Sequence, residues 1–162
     1  MTGTGVGASV KRKEDQRYLT GKGQYTDDIN MKAQSYAYFV RSPHAHATIK
    51  SINTKKAAAM PGVLGVFTGE HVKEDKIGGL ICGWAITSKD GSAMKAGPHP
   101  ILADGKVRYV GDHVAVVVAE TKDQAKAAAA LVDVKYAVLP HNVDAGKAMA
   151  SKAQVHDVAA DN

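Results

Sequence analysis

Six consecutive apolar residues, Val114-Ala115-Val116-Val117-Val118-Ala119, constrain this chain more than any other stretch in it. A strand with one wet face alternates apolar and polar side chains, whereas a run that is apolar on both faces belongs inside a sheet with neighbours on each side. The residues that follow define the next element. Thr121 and Gln124 make a capping box, in which the threonine hydroxyl accepts from the third helical N–H while the glutamine reaches back. Over 122–131, Ala125, Ala128, Ala129 and Val132 fall on one stripe, and alanines there let a helix approach a sheet closely. A strand over 132–139, stopped by Pro140, completes the unit.

The first half reads similarly. Residues 35–41 are rich in aromatic and β-branched types and 45–52 alternate, so two strands are expected on either side of Ser42-Pro43-His44. Asn53 or Thr54 caps a short alanine-rich helix over 55–60, which Pro61-Gly62 stops. A strand over 63–67 and a helical turn over 70–76 follow. Residues 77–100 hold five glycines and two prolines without a period. Such a long connection is usually functional or partner-bound, and 89–97 is expected to be its most mobile part. Segments 106–110 and 114–119 flank Gly111-Asp112-His113, which suits a tight reversal between paired strands. At the start, Thr20-Gly21-Lys22-Gly23 leads into a short strand at 24–26 closed by Asp27 and Asp28, and a last helical turn is expected over 144–149.

The predicted fold is α+β. Each half holds paired strands, a crossover helix and a returning strand, packed as a two-layer arrangement of mixed sheet with two crossover helices and a long glycine-rich loop. The boundaries suggested are a flexible arm over 1–10, the domain over 11–150 and a tail over 151–162.

Composition removes several function classes. No apolar run approaches the ~18 residues of a membrane-spanning helix, and the glycine-rich start lacks the features of a secretory signal, so a cytoplasmic protein is expected. Cys82 is the single cysteine, which excludes an internal disulfide and a cysteine-ligated iron–sulfur or zinc site within this chain. The net charge of +5 suits an acidic partner or nucleic acid, but the basic residues are scattered and Glu14 and Asp15 interrupt their densest cluster.

Candidate chemistry is thin. Gly3-Thr4-Gly5-Val6-Gly7 lacks the strand and helix that a phosphate loop requires. His44 and His46 would share a face if both lay on a strand and could open a metal site, yet the other histidines scatter without ligand spacing. Cys82 has no basic neighbour to favour its thiolate, and Asp27-Asp28 fits a turn or cap better than acid–base work. Trp84, the only tryptophan, is an interface anchor or a core residue. Tyr36, Tyr38 and Phe39 motivate an alternative reading, a stand-alone basic module for acidic ligands or single-stranded nucleic acid.

Five ordered stretches carry a resemblance. They are Arg12-x-Glu14-Asp15-x-Arg17-Tyr18-Leu19-Thr20-Gly21-x-Gly23-x-Tyr25-x-Asp27-Asp28-Ile29; Arg41-Ser42-Pro43-His44-Ala45-His46-Ala47 with Ile49-x-x-Ile52; and Pro61-Gly62-Val63 before Val66-Phe67-Thr68. The last two are Pro100-Ile101-Leu102-Ala103 with Val107-Arg108-Tyr109-Val110-Gly111-Asp112 and Val114-Ala115-Val116-Val117-Val118-Ala119, and Ala125 to Ala129 followed by Val132-x-Val134-x-Tyr136-x-x-Leu139-Pro140. Together they resemble the N-terminal α/β-hammerhead domain of the large subunit of molybdenum hydroxylases, the carbon monoxide dehydrogenase, xanthine dehydrogenase and aldehyde oxidase family. The resemblance implies an oxidoreductase complex acting on carbon monoxide, aldehydes or nitrogen heterocycles. It further implies molybdopterin cytosine dinucleotide in the rest of the large subunit, [2Fe-2S] clusters in a small subunit and FAD in a medium subunit. No catalytic, cofactor or metal residue is expected in this chain, whose role would be structural. Arg41, Ser42, His44, His46, Gly111, Asp112 and Trp84 are its structural or interface candidates. His113 departs from the family, which often has proline there, and the stretch around Trp84 matches no family segment.

Overall fold

The computed structural model describes residues 5–159. The chain divides into two units, Met1–Gln34 and Ser35–Asn162. In the first, a helix, α1 (Asp15–Leu19), is followed by a 3-10 turn, Thr26–Asp28. The strand expected at 24–26 does not form. The reason is local, because the Asp28 carboxylate accepts the Tyr25 N–H at 2.9 Å and Asp28 N–H donates to the Tyr25 carbonyl, closing a turn instead.

The second unit holds two three-stranded sheets. Its elements are β1 (Tyr36–Arg41), β2 (Ala47–Asn53), α2 (Lys55–Ala58), β3 (Val63–Thr68), α3 (Gly69–Glu74), β4 (Lys106–Val107), β5 (His113–Ala119), α4 (Lys122–Ala129), β6 (Asp133–Val138) and α5 (Ala145–Ala148). One sheet has the order β1-β5-β3 and the other β4-β2-β6. Every pairing within them is antiparallel. As its composition requires, β5 is a middle strand, with Val117 opposite both Tyr38 and Val66.

Two pairings read from the sequence are corrected. β4 and β5 do not form a hairpin across Gly111-Asp112-His113, and β1 does not pair with β2. In each case the chain passes from one sheet to the other, β4 pairing with β2 and β5 with β1. The cause is the doubly apolar β5, whose two edges are already occupied by β1 and β3. As a result the middle strand of each sheet comes from the opposite half of the chain, and the two halves are interlocked.

The core is small and alanine-rich. Ala57 of α2, Val66, Val117, and Ala128 and Ala129 of α4 form one cluster, closed by Val40, Met60, Val63 and Val132. The alanine stripe predicted on the helix is therefore the buried one. Thr121 Oγ1 accepts the Gln124 N–H at 3.2 Å and donates to Gln124 Oε1 at 2.9 Å, so the threonine caps α4 as expected. A second cluster joins Ala47, Ala103, Val107 and Val114 with Ile49, Ile52, Val134 and Tyr136. β5 thus contributes Val117 to one cluster and Val114 to the other.

Close backbone contact adds one constraint. A Cβ on Gly69 would lie 2.6 Å from the Ala103 carbonyl oxygen, so backbone would have to move against backbone. Gly69→Ala is expected to cost about 1–3 kcal/mol, as overpacking does, and to lower the thermal midpoint. Lys55→Ala, at an exposed position, should leave it within about 0.5 kcal/mol of wild type by the same calorimetric measurement.

Candidate functional site

The two crossings between sheets meet each other. Ser42 N–H donates to the Asp112 carbonyl and Gly111 N–H to the Ser42 carbonyl, both at 2.8 Å. Arg41, at the end of β1, reaches over with Nη1 3.2 Å from the Gly111 carbonyl. The buried Ser42 hydroxyl donates to the His44 carbonyl at 2.9 Å and accepts the His44 N–H at 3.0 Å, fixing the bend that redirects the chain. The Asp112 side chain is also buried and accepts the Arg108 N–H at 2.9 Å. Gly111 has φ +92°, a conformation that favours glycine.

Five of the seven residues singled out from sequence, Arg41, Ser42, His44, Gly111 and Asp112, therefore converge. The other two do not join them. His46 is buried with Nδ1 2.9 Å from the Pro140 carbonyl, a hydrogen bond at a strand boundary. His44 packs its ring edge-on against Tyr136 at 5.0 Å. Both histidines lie in the bend before β2, so the shared strand face that a chelating pair would need is absent. Trp84 stands 81% exposed in the long loop, its carbonyl 3.5 Å from the Cys82 thiol.

Tyr109, Arg108, Tyr136 and His156 complete the neighbourhood, and sequence reasoning did not single them out. Their signal was present in the motif stretches that hold Arg108-Tyr109 and Tyr136. Burial raises the Tyr109 phenol above its ordinary value, and the Asp112 carboxylate reinforces the shift. Burial also raises Tyr136, opposed by its hydrogen bond to Ser42. Beside them His99, Pro100, Arg108, Tyr109, Asp112 and His156 line a cavity of about 180 Å³. Gly97 packs directly under the His156 ring.

Burial, followed by the Arg108 guanidinium, holds His156 below the ordinary histidine value of 6.5. Between those two values the unfolded chain takes up a proton that the folded chain refuses, so stability present above pH 6.5 is lost as pH falls through the folded value. The His156 ring protons are expected to titrate with a midpoint below 6.5 by NMR. His156→Gln should remove that part of the acid sensitivity in thermal melts.

Chemically the arrangement is a fastening. The Ser42 hydroxyl is engaged by the backbone of His44 and not by an imidazole, and the His44 ring faces Tyr136, so no nucleophile–base pair is assembled. Among the described residues no three His, Cys, Asp or Glu side chains gather where they could hold a metal ion. A single cysteine cannot furnish the thiolates of an iron–sulfur cluster. No described helix is long and apolar enough to cross a membrane. Tyr36 and Tyr38 point to one side of β1 and Phe39 to the other, so they do not form one stacking surface.

Residues 20–140 match the family described as aldehyde oxidase and xanthine dehydrogenase, a/b hammerhead domain. The chain belongs to that family. It is 40% identical over 145 residues to the carbon monoxide dehydrogenase large chain of Afipia carboxidovorans, covering 90% of this chain and 17% of that protein. It is 42% identical over 127 residues to the nicotine 6-hydroxylase large subunit of Paenarthrobacter nicotinovorans, covering 78% and 15%. Quinoline 2-oxidoreductase from Pseudomonas putida 86 superposes with a TM-score of 0.81 at 37% identity, covering 94% of this chain and 19% of that one. The hammerhead chain thus spans less than a fifth of these relatives' length, and its α+β fold is the one the sequence motifs implied. The five motif stretches cover α1 and the turn at Thr26–Asp28, the last residue of β1, both crossings, most of β5, and parts of β2, β3, α4 and β6.

Proposed function

We propose that this hammerhead chain serves a molybdenum hydroxylase large subunit as a rigid, non-catalytic component. The observation that carries the reading is the match of residues 20–140 to the hammerhead family, together with relatives whose names identify them as large or molybdenum-binding subunits. In this reading the redox chemistry belongs to the rest of the assembly. That assembly would carry molybdopterin cytosine dinucleotide in the large subunit, [2Fe-2S] clusters in a small subunit and FAD in a medium subunit, and would hydroxylate carbon monoxide, an aldehyde or a nitrogen heterocycle.

The test is a graft. This chain replaces the matching segment of the Afipia carboxidovorans large chain, expressed with its natural partner subunits. The hybrid is expected to retain molybdenum and dye-linked oxidation of carbon monoxide, while the chain alone oxidises nothing. A soluble hybrid without molybdenum would refute the role, as would substrate oxidation by the chain alone. No structural observation favours the binding-module alternative, since Lys73, Lys106, Lys135 and Lys147 each pair with an aspartate.

A further inference from the structure

The β1-β5-β3 sheet has two faces, and helices cover one. Val66, Val117 and Val40 pack against α2 and α4 on that side. In an antiparallel sheet directly paired residues project to the same face, and neighbours along a strand to opposite faces. Phe39, Val116 and Phe67 are directly paired across the three strands, one position away from the helix-facing row. Ala37, Val118 and Gly65 make the next row on this outer face. Phe39 is 38% and Phe67 43% exposed, and Leu64 at the β3 bulge is 61% exposed. A contiguous apolar row of this kind on a sheet face marks an interaction site.

The edges of the row are polar, and one of them carries the positive charge of the exposed Arg41. Arg41 and His113 are paired on the same outer face, and Phe39 stacks on the His113 ring at 4.7 Å. The Phe67 ring meets His71 at 5.9 Å on the other side. An aromatic centre with a polar rim is the usual anatomy of a protein interface.

We infer that this face, centred on Phe39, Val116 and Phe67, docks against the remainder of the large subunit, onto an apolar surface edged with carboxylates or carbonyls. The occupant follows from lengths. Each relative carries the domain on the same polypeptide as more than four-fifths of further chain, and tethering gives that chain a far higher effective concentration than any free partner. The inference rests on the functional reading above and adds the surface through which it operates.

Maleimide labelling of Phe67→Cys tests it, in a Cys82→Ser background, with the isolated chain compared to the hybrid large subunit. The isolated chain should sediment as a monomer and label readily, and the hybrid should label at least about tenfold more slowly, as burial in a packed interface requires. Equal labelling rates would overturn the docking face. So would sedimentation of the isolated chain as a dimer that Phe39→Asp with Phe67→Asp dissociates, because a second copy would then be the occupant. The same double variant should leave the far-UV circular dichroism of the isolated chain intact, whereas unfolding would show these rings to be core. The labelling ratio judges the face and the molybdenum content judges the functional role, so the two can fail separately.

Discussion

Val117→Asp is expected to abolish the cooperative fold, seen as loss of the native far-UV circular dichroism and of any thermal transition. Val117 is fully buried in the middle strand β5, paired with Tyr38 and Val66 and packed with Ala128 of α4. A carboxylate there has no hydrogen-bonding partner to replace water, and the penalty of several kcal/mol is comparable with the ~5–15 kcal/mol that holds a domain together. The alanine-rich core has little bulk elsewhere to absorb the loss. Val118→Asp is the control, because Val118 lies on the opposite, outer face and the carboxylate can reach solvent. A folded Val117→Asp protein with an unchanged melt would refute the placement of β5.

That experiment also bears on why some of the fold is legible in the sequence and some is not. β5 can be read directly, because apolar character on both faces is a local property that demands a middle position. α4 can be read for a similar reason, since its cap and its alanine stripe are both set within a dozen residues. The pairing of β4 is different. Gly111-Asp112 carries the chemistry of a turn, and a turn flanked by two apolar segments looks like a hairpin. Whether those segments pair depends on β1 and β3, which lie far away in sequence and occupy both edges of β5. The short strand expected at 24–26 fails for a nearer cause, as Asp28 captures the Tyr25 N–H before a strand can form.

The crossover site shows the same division. Arg41, Ser42, His44, Gly111 and Asp112 stood out through motif resemblance, and their convergence is a product of the interlocked sheets that no spacing rule contains. His156 joins Arg108 across a cavity from a segment with no periodic pattern, and it could be placed there only by the structure. Interlocking gives the crossing its importance. Each half of the chain supplies the middle strand for the other, so loosening the two crossings relaxes the register of both sheets.

Asp112 is the place where that loosening can be measured. Asp112→Ala removes the acceptor of the Arg108 N–H inside the crossing. The exposed cost of one unsatisfied buried donor is about 1–3 kcal/mol. In a domain of this size each kcal/mol corresponds to roughly 2–4 °C in thermal midpoint. Asp112→Asn keeps an oxygen acceptor at the same position and should cost distinctly less. The asparagine variant separates charge from hydrogen bonding through a second readout. The Asp112 carboxylate helps to raise the Tyr109 phenol, so neutralising it should bring the phenol down towards its ordinary value of 10.0, with burial still holding it above. Ultraviolet titration of the tyrosines, compared with a Tyr109→Phe difference spectrum, reports that change. If Asp112→Ala melts like the wild type and Asp112→Asn leaves Tyr109 unmoved, the crossing is not the fastening described.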